Sequence, residues 1–170
     1  AVHTINDWDD LRRRLQPADR RCFAFFHPAM PDEPLIFVEV ALTDAIPGAI
    51  ETLLSDDRQP ITERAATTAV FYSISNCQRG LAGITFGNFL IKQVATDLMQ
   101  SLPNLKTFVT LSPVPGLTRW MRDEARSTDN DERRTLLSRL SEAPSLDALQ
   151  ADRQTLTALA AEYLVRAKRK

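Results

Sequence analysis

Residues 71–92 read FYSISNCQRGLAGITFGNFLIK, and this stretch decides the fold. It begins inside a β-branched and aromatic run, Thr67–Ser75, which predicts a buried strand. Apolar side chains then recur at helical spacing across Phe86–Leu102, with polar residues on the opposite face, and this pattern predicts an amphipathic helix. A second strand-like run follows at Leu105–Leu111. Two strands joined by such a helix normally lie parallel in one sheet, so the sequence predicts an α/β fold.

Patterns before this stretch add further elements to the predicted sheet. The central strand is Leu35–Leu42, which is apolar throughout except for Glu39. The other predicted elements are a first helix capped by Asn6 or Asp7 with Trp8, Leu11 and Leu15 as its apolar positions, a strand at Cys22–Phe26, a proline-rich turn at His27–Pro34 and a short helix at Asp44–Ser55.

The character of the chain changes after Trp120. Charged residues crowd Arg122–Arg134, which predicts a solvated surface segment or the polar face of a helix. Three later runs have helical spacing, namely Leu136–Leu140, Leu146–Leu149 and Leu156–Val165. We therefore divide the sequence into the first part of an α/β domain, residues 1–120, and a charged, mostly helical extension of the same domain, residues 121–170.

The composition is that of a soluble globular domain, with 44% apolar and 25% charged residues. The formal net charge of −1 argues against a nucleic-acid-binding surface, and no apolar run approaches the roughly 20 residues that span a bilayer. No signal-peptide pattern opens the chain. Cys22 and Cys77 lack the spacing of a metal site, so we expect two reduced, partly buried thiols in a bacterial-type cytoplasm or an organelle matrix.

Three of the five glycines, Gly80, Gly83 and Gly87, stand between the predicted strand and the helix. A glycine turn at a helix N-terminus suits a phosphate, because the first helical amides lack intrahelical partners and the helix dipole adds positive charge there. The phrase has neither the Gly-Lys-Ser/Thr element of a P-loop nor the spacing of a dinucleotide fingerprint. It resembles the acyl-CoA motif of GNAT acyltransferases, except that Thr85 replaces one glycine of that motif. A glycine-rich connection without a ligand is the alternative.

A second phrase, LSPVPGLTRW at Leu111–Trp120, places Ser112 between an apolar strand and two prolines. A serine before proline at a strand end is most often a turn former. No G-x-S-x-G elbow surrounds Ser112, and the only histidines are His3 and His27, the latter in the proline-rich turn. The residues alone therefore identify no nucleophile.

The two phrases in succession closely resemble the malonyl-CoA decarboxylase family, in its GNAT-like catalytic domain, most strongly over Phe71–Trp120. The resemblance implies a GNAT-like mixed sheet with splayed parallel strands and a CoA-binding helix N-terminus, followed by a helical segment. It implies a lyase that converts malonyl-CoA to acetyl-CoA and carbon dioxide with no metal or organic cofactor, since CoA is part of the substrate. The family's catalytic serine matches Ser112, and its CoA-contacting turn matches Ala82, Gly83, Ile84, Thr85, Phe86, Gly87 and Asn88.

The resemblance also implies parts that these residues do not contain. The family uses a histidine and closing strands in a segment that would follow Lys170, and an N-terminal helical domain for oligomer formation. We therefore expect a homo-oligomeric parent protein with no nucleic-acid or membrane partner, and we expect the 170 residues alone to be inactive. Two alternatives stay open. One is a GNAT acetyltransferase, for which Glu39 is the nearest carboxylate base although it fits an edge or partnered charge better, and the other is a non-catalytic CoA-binding fragment.

Overall fold

The computed structural model describes residues 7–81, 87–143 and 147–167. The chain folds into two compact units, Ala1–Ser112 and Pro113–Lys170, each with a hydrophobic cluster of its own. Within the described ranges, no helix is long and apolar enough to cross a membrane. The division of the sequence into the first part of an α/β domain, residues 1–120, and an extension of the same domain, residues 121–170, stays a prediction.

The first unit is built on a mixed sheet. Its elements are α1 (Trp8–Leu15), β1 (Arg20–His27), β2 (Met30–Thr43), α2 (Glu51–Leu54), β3 (Thr68–Asn76), α3 (Gly87–Ser101) and β4 (Thr107–Thr110). The strands lie in the order β1-β2-β3-β4, with antiparallel pairing from β1 to β3 and parallel pairing between β3 and β4. The predicted α/β fold and the predicted parallel pair around α3 are confirmed.

The two faces of this sheet bury different clusters. On the first face, α3 packs against β2 and β3 through a cluster that includes Val38 and Leu98. On the second face, Leu53 of α2 packs against Val70 and Tyr72 of β3. Removing a fully buried aliphatic side chain such as Leu98 to alanine costs about 2–5 kcal/mol, so these clusters dominate the stability of the unit.

Helix α1 begins as predicted but buries a different face. The Asp7 side chain accepts a hydrogen bond from the Asp10 amide at 2.8 Å, which is the predicted N-cap. The buried residues of the helix are Asp10 and Arg14, whose side chains pair at 3.0 Å. Trp8 is 76% exposed, so its assignment to an apolar packing face is wrong. The paired charges neutralise each other, and this allows polar side chains to take the buried positions.

The predicted turn at His27–Pro34 is mostly strand. β1 ends at His27 and β2 already begins at Met30, so a tight hairpin joins them. Pro34 lies within β2 opposite Phe26, at a point where the register shifts. A proline removes one ladder hydrogen bond, and an irregular, exposed hairpin end tolerates that loss. The composition of this segment therefore predicted a longer turn than the one that remains between the paired strands β1 and β2.

The predicted helix at Asp44–Ser55 is shorter than expected. Only Glu51–Leu54 is helical. Pro47 and Gly48 precede this helix. Proline disfavours the helical conformation of the residue before it, and glycine loses more conformational entropy in a helix than other residues do. The helix that remains serves chiefly to place Leu53 on the second face of the sheet.

A buried ionic cluster fixes the beginning of β1. The Asp19 carboxylate accepts hydrogen bonds from Arg58 at 2.6 and 3.0 Å and from the Ile61 amide at 3.1 Å. Burial alone would raise the pKa of Asp19, but these hydrogen bonds and the neighbouring positive charge of Arg20 outweigh it and lower that pKa. The neighbouring Arg20 guanidinium donates to the carbonyl oxygen of Leu53 at 2.5 Å. The cluster therefore ties β1, α2 and the loop after α2 together.

The second unit is helical. It contains α4 (Leu117–Ser127), α5 (Asp131–Ser141), a 3₁₀ turn at Asp147–Asp152 and α6 (Arg153–Ala167). The predicted helical runs Leu136–Leu140 and Leu156–Val165 are confirmed, whereas Leu146 of the third run lies outside the described residues and the rest of that run is a 3₁₀ turn. Its cluster consists of Met121, Ala125, Leu137, Leu140 and Leu159. The charged segment Arg122–Arg134 supplies polar helix faces, as predicted, and its Arg133 pairs with Glu162 of α6 at 2.9 Å.

Candidate functional site

The parallel strands β3 and β4 separate at their carboxyl ends. Their pairing ends at Phe71 opposite Thr110, followed by one hydrogen bond of 2.9 Å from the Leu111 amide to the Phe71 carbonyl oxygen. β3 continues to Asn76 and stays paired with β2 on its other side. Among the described residues, the last part of β3 therefore has no partner strand on its β4 side, which agrees with the splayed parallel strands that the resemblance implies.

A β-bulge in β3 lies at this point of separation. Val40 pairs with Phe71 but Glu39 pairs with Ser73, so Tyr72 is an extra residue without a direct partner in β2. A bulge of this kind bends the strand and redirects its side chains. Sequence reasoning missed it, because no glycine or proline marks the position.

Unpaired polar atoms cluster around the bulge. Glu39 is 7% exposed and Tyr72 is 2% exposed. The Glu39 Oε2 atom, the Tyr72 hydroxyl and the Ser75 hydroxyl are buried and have no hydrogen-bond partner among the described residues. Glu39 lies in an interior strand, so its interpretation as an edge charge is wrong, and its Oε2 atom argues against a partnered charge among the described residues. Buried polar groups are rarely left unpaired, which makes this cluster a candidate site.

The electrostatics of the cluster follow from burial and from the Glu39 charge. Burial raises the pKa of the Tyr72 hydroxyl, and the negative charge of Glu39 raises it further, while Arg20 and Arg14 oppose the shift. Neighbouring protein atoms partly desolvate the Cys22 thiol, although the residue as a whole is exposed, and this raises its pKa, again with a contribution from Glu39. Tyr72 and Cys22 are therefore neutral at physiological pH.

The two cysteines are free and both are exposed, so the prediction of partial burial is wrong. Cys22 lies in β1, where the half-buried Phe23 and Phe25 face one side of the sheet. The side chain of Cys22 faces the other side of the sheet and is accessible to solvent. Within the described ranges, no group of three or more His, Cys, Asp or Glu side chains is arranged to hold a metal ion.

Ser112 is an exposed residue that follows the end of β4. The β3–β4 pairing ends at Thr110, two residues before Ser112, so Ser112 lies just past the point where the two strands separate. The bulge at Tyr72 lies at the same end of this strand pair.

The predicted CoA-binding turn is only partly described. Ala82, Gly83, Ile84, Thr85 and Phe86 lie outside the described residues, and Gly87 and Asn88 form the first two positions of α3. α3 therefore begins within the predicted segment, and a helix N-terminus is the position that favours anions. The direction of the turn amides stays a prediction.

His27, one of the two histidines that the sequence offers, belongs to the β1–β2 hairpin. Its Nδ1 atom accepts a hydrogen bond from the Ala29 amide at 3.1 Å, and the residue is exposed. This contact stabilises the hairpin turn and gives His27 a structural role there.

The segment after Ser112 is fixed inside the second unit. The Tyr163 hydroxyl donates a hydrogen bond to the carbonyl oxygen of Pro115 at 2.8 Å. Gly116 adopts a φ of 83°, and a Cβ atom on it would lie 2.7 Å from the Tyr163 hydroxyl oxygen. The ring of Tyr163 also packs against Trp120, with centroids 5.7 Å apart. The sequence singled out this proline-glycine segment but not Tyr163, which lies 48 residues from Pro115.

The fold is thus an α/β domain built on a mixed sheet whose two parallel strands separate at their carboxyl ends. The model of the malonyl-CoA decarboxylase C-terminal domain matches residues 1–170, and the chain belongs to that family. It is similar to the crystal structure of malonyl-CoA decarboxylase from Agrobacterium vitis, with a TM-score of 0.80 at 53% identity over 95% of this chain. The corresponding structure from Rhodopseudomonas palustris gives a TM-score of 0.81 at 56% identity over 94% of this chain.

Curated relatives show the same similarity. The mitochondrial malonyl-CoA decarboxylase of Anser anser anser is 42% identical over 159 residues, which cover 92% of this chain and 31% of that protein. The mitochondrial enzyme of Rattus norvegicus is 42% identical over 123 residues, which cover 71% of this chain and 25% of that protein. The two crystallised proteins are covered to 39% each. The chain therefore spans about a third of the length of its relatives.

Proposed function

We propose that the protein carrying these residues decarboxylates malonyl-CoA to acetyl-CoA and carbon dioxide. The observation that supports this most strongly is the match of residues 1–170 to the malonyl-CoA decarboxylase C-terminal domain. The separation of β3 from β4 agrees with it, because a gap between parallel strands offers unpaired backbone groups to an extended ligand.

The reaction sets two requirements for the site. Loss of carbon dioxide leaves negative charge on the thioester oxygen as an enolate, so hydrogen-bond donors must be placed where that charge develops. A proton must then reach the α-carbon. Backbone amides of β3 beyond Phe71, on the side that β4 has left, are the donors that we assign to the acyl end of the substrate.

The CoA end of the substrate is assigned to the turn before α3. The amides of this turn and the first amides of α3 would bind the pyrophosphate, since an N-terminal helix end carries unpaired N–H groups and partial positive charge. α3 begins at Gly87, so its free amides follow the predicted turn directly. The residues of this proposed site are Ala82, Gly83, Ile84, Thr85, Phe86, Gly87 and Asn88.

Ser112 is assigned to the malonyl end. A serine hydroxyl of ordinary acidity exchanges protons usefully only beside a base. His27 is held in the hairpin turn by Ala29, so we assign the base to an imidazole from outside these residues. In this proposal the hydroxyl of Ser112 hydrogen-bonds the malonyl group and works with that imidazole.

The remaining properties follow the same proposal. The enzyme uses no metal or organic cofactor, because the CoA thioester itself stabilises the enolate. It acts as a homo-oligomer, without nucleic-acid or membrane partners, in a reducing compartment such as a bacterial cytoplasm or an organelle matrix. The free thiols of Cys22 and Cys77 suit such a compartment.

Product analysis separates this function from the alternatives. The full natural polypeptide is incubated with malonyl-CoA, and separately with acetyl-CoA and a panel of amines. We expect acetyl-CoA and carbon dioxide from the first mixture and no acetylated amine from the second. Amine acetylation without malonyl-CoA turnover would support an acetyltransferase, and CoA binding without either reaction would support a non-catalytic CoA-binding protein.

A further inference from the structure

An open cavity of about 660 Å³ lies between α4 and α5 of the second unit, and the proposed decarboxylation does not use it. Small-molecule sites have volumes of roughly 300–1,000 Å³, so the cavity is large enough for one. Its polar wall consists of residues from the facing sides of the two helices, namely Arg122 and Arg126 of α4, Arg134, Ser138 and Ser141 of α5, and Glu142 directly after α5. The wall therefore carries three positive charges and one negative charge.

Three arginines of this unit that do not line the cavity are paired with carboxylates and link its helices. Arg133, Arg139 and Arg166 each contact both oxygens of one carboxylate, at 2.6–3.0 Å. These carboxylates belong to Glu162, Asp152 and Glu124, respectively. The charge of each of these guanidinium groups is thus compensated within the chain.

The two arginines of α4 that line the cavity are bound much less completely. Among the described residues, Arg122 donates only to the carbonyl oxygen of Ser141, at 3.3 Å, and has no carboxylate partner. Arg126 lies 3.7 Å from its one carboxylate partner in that part of the chain, Asp123, and this distance is longer than a hydrogen bond. Since a guanidinium group carries five N–H donors, most donors of Arg122 and Arg126 are available to a ligand.

Arg134, on the α5 side of the cavity, is partly engaged. It donates to the Asp131 carboxylate at 2.5 Å and to the carbonyl oxygen of Thr128 at 2.8 Å. Neither Asp131 nor Asp123 is a lining residue of the cavity. The surface that a ligand would meet therefore keeps an excess of positive charge and attracts anions.

The direction of the two helices gives the cavity two different ends. A three-residue connection joins α4 to α5, and Arg122 contacts Ser141 at the end of α5, so the two helices run antiparallel. Arg126 lies about one helical turn from Arg122 towards the connection, and Arg134 lies about two turns from Ser141 in the same direction. Positive charge therefore concentrates near the connection, and the Glu142 carboxylate lies at the other end.

From this arrangement we propose that the cavity binds the diphosphate group of a nucleotide, with Arg122 and Arg126 as its principal donors. Guanidinium groups suit this ligand, because their planar N–H donors match pairs of phosphate oxygens. The Glu142 carboxylate would accept hydrogen bonds from the sugar hydroxyl groups, whereas it would repel a second anionic group. A nucleoside diphosphate meets both conditions. No residue assigned to the acyl-CoA site lines the cavity, so the inference goes beyond the proposed function and does not depend on it.

Adenosine 5′-diphosphate (ADP) is the probe, and isothermal titration calorimetry on the full natural polypeptide measures its binding. CoA is present at saturating concentration, so that the acyl-CoA site is occupied. We expect one ADP per chain. Arg122→Gln and Arg126→Gln should each weaken its binding by at least about tenfold, the loss expected for a hydrogen bond between charged groups. Arg126→Lys keeps the charge but loses the planar fork, and its affinity should lie between those of the wild type and Arg126→Gln.

Arg119→Gln is the matched control. The side chain of Arg119 is 89% exposed on α4 and lies 3.9 Å from Asp123, the same carboxylate that Arg126 approaches, but it does not line the cavity. This variant loses the same charge and should bind ADP like the wild type. Both positions are exposed, so Arg119→Gln and Arg126→Gln should unfold close to the wild-type melting temperature.

Two further probes identify the part of the ligand that is recognised. Tighter binding of ADP than of pyrophosphate, with no binding of adenosine, would support the inference. Pyrophosphate that binds as tightly as ADP would support the diphosphate site and overturn the choice of a nucleotide. Absence of ADP binding, or equal affinities of Arg126→Gln and the wild type, would overturn the inference as a whole. An acidic segment of the full polypeptide in the cavity would also overturn it, through absent ADP binding and a lower melting temperature of Arg126→Gln than of Arg119→Gln.

Discussion

The hydroxyl of Tyr163 in α6 donates a hydrogen bond to the carbonyl oxygen of Pro115 at 2.8 Å, in the segment that follows Ser112. Next to this contact, Gly116 has a φ of 83° and no room for a side chain, because a Cβ atom would lie 2.7 Å from the same hydroxyl oxygen. The proline-glycine segment is thus held by a residue far along the sequence. This relationship yields a stability prediction that is independent of the chemistry.

Gly116→Ala should lower the free energy of unfolding by about 1–3 kcal/mol, since alanine is strained at this φ and meets the Tyr163 hydroxyl. Tyr163→Phe should cost about 0.5–1.5 kcal/mol through its lost hydrogen bond. In the Tyr163→Phe background the cost of Gly116→Ala should shrink, and urea unfolding measures the difference. Gly80→Ala, with nothing within 4 Å of its Cβ position, is the control. Simple additivity of the Gly116 and Tyr163 effects would contradict the contact.

Asp19→Asn tests the buried ionic cluster at the start of β1. The substitution leaves the Arg58 guanidinium without its charged partner, and we expect a loss of about 3–5 kcal/mol at neutral pH. Asp56→Asn, at an exposed ion pair with Arg13, should cost less than about 1 kcal/mol. Equal losses in the two variants would mean that burial adds nothing to the Asp19 pair.

The pH dependence of the Asp19 contribution has a defined sign. The folded-state pKa of Asp19 is lowered, so the stabilisation is fully present above its unfolded pKa of about 4 and is lost as the pH falls through the folded value. The stability difference between wild type and Asp19→Asn should therefore be constant from pH 5 to 7, as rough limits, and shrink below about pH 4. A difference that grew on acidification would contradict the lowered pKa.

Gly83→Glu tests the assignment of the phosphate site. A carboxylate in the turn before α3 would repel the CoA pyrophosphate, so we expect CoA to bind at least about tenfold more weakly, which corresponds to about 1.4 kcal/mol. Pantetheine, which has no phosphate, should bind the variant and the wild type equally. Gln100→Glu makes the same negative charge at an exposed position near the other end of α3 and serves as the control. Equal weakening of CoA and pantetheine would point to a misfolded turn in place of lost phosphate binding.

The fold was predictable because the spacing of apolar residues along each strand and helix indicates which element forms there. The β-branched run of β3 and the helical spacing of α3 each follow from a burial pattern along one element. The bulge at Tyr72 was not predictable, because it depends on the register between two strands and leaves no mark in the residue types. The face of α1 was mispredicted for a different reason, since the Asp10–Arg14 pair occupies the buried positions that hydropathy assigns to apolar residues.

The residues of the candidate site also divide into those that the sequence indicates and those that only the structure reveals. Ser112 has no local signature of a nucleophile, and only the resemblance of the serine phrase to a known family singled it out. Glu39 was noticed as an exception in an apolar strand, but its unpaired oxygen and its pairing with Ser73 became evident only from the structure. Roles that depend on neighbours from distant parts of the chain, such as that of Tyr163, lie beyond what the sequence pattern encodes.

The central claim is tested most directly by the release of carbon dioxide from malonyl-CoA that carries ¹³C in its free carboxyl group. The full natural polypeptide should release labelled carbon dioxide and leave unlabelled acetyl-CoA. Ser112→Ala should lower the turnover number by roughly 10²–10⁴-fold, the range for loss of a positioned proton-transfer group, with little change in CoA affinity. Release of label at the wild-type rate by Ser112→Ala would reduce Ser112 to a turn residue, and no labelled carbon dioxide from the wild type would contradict the decarboxylase function itself.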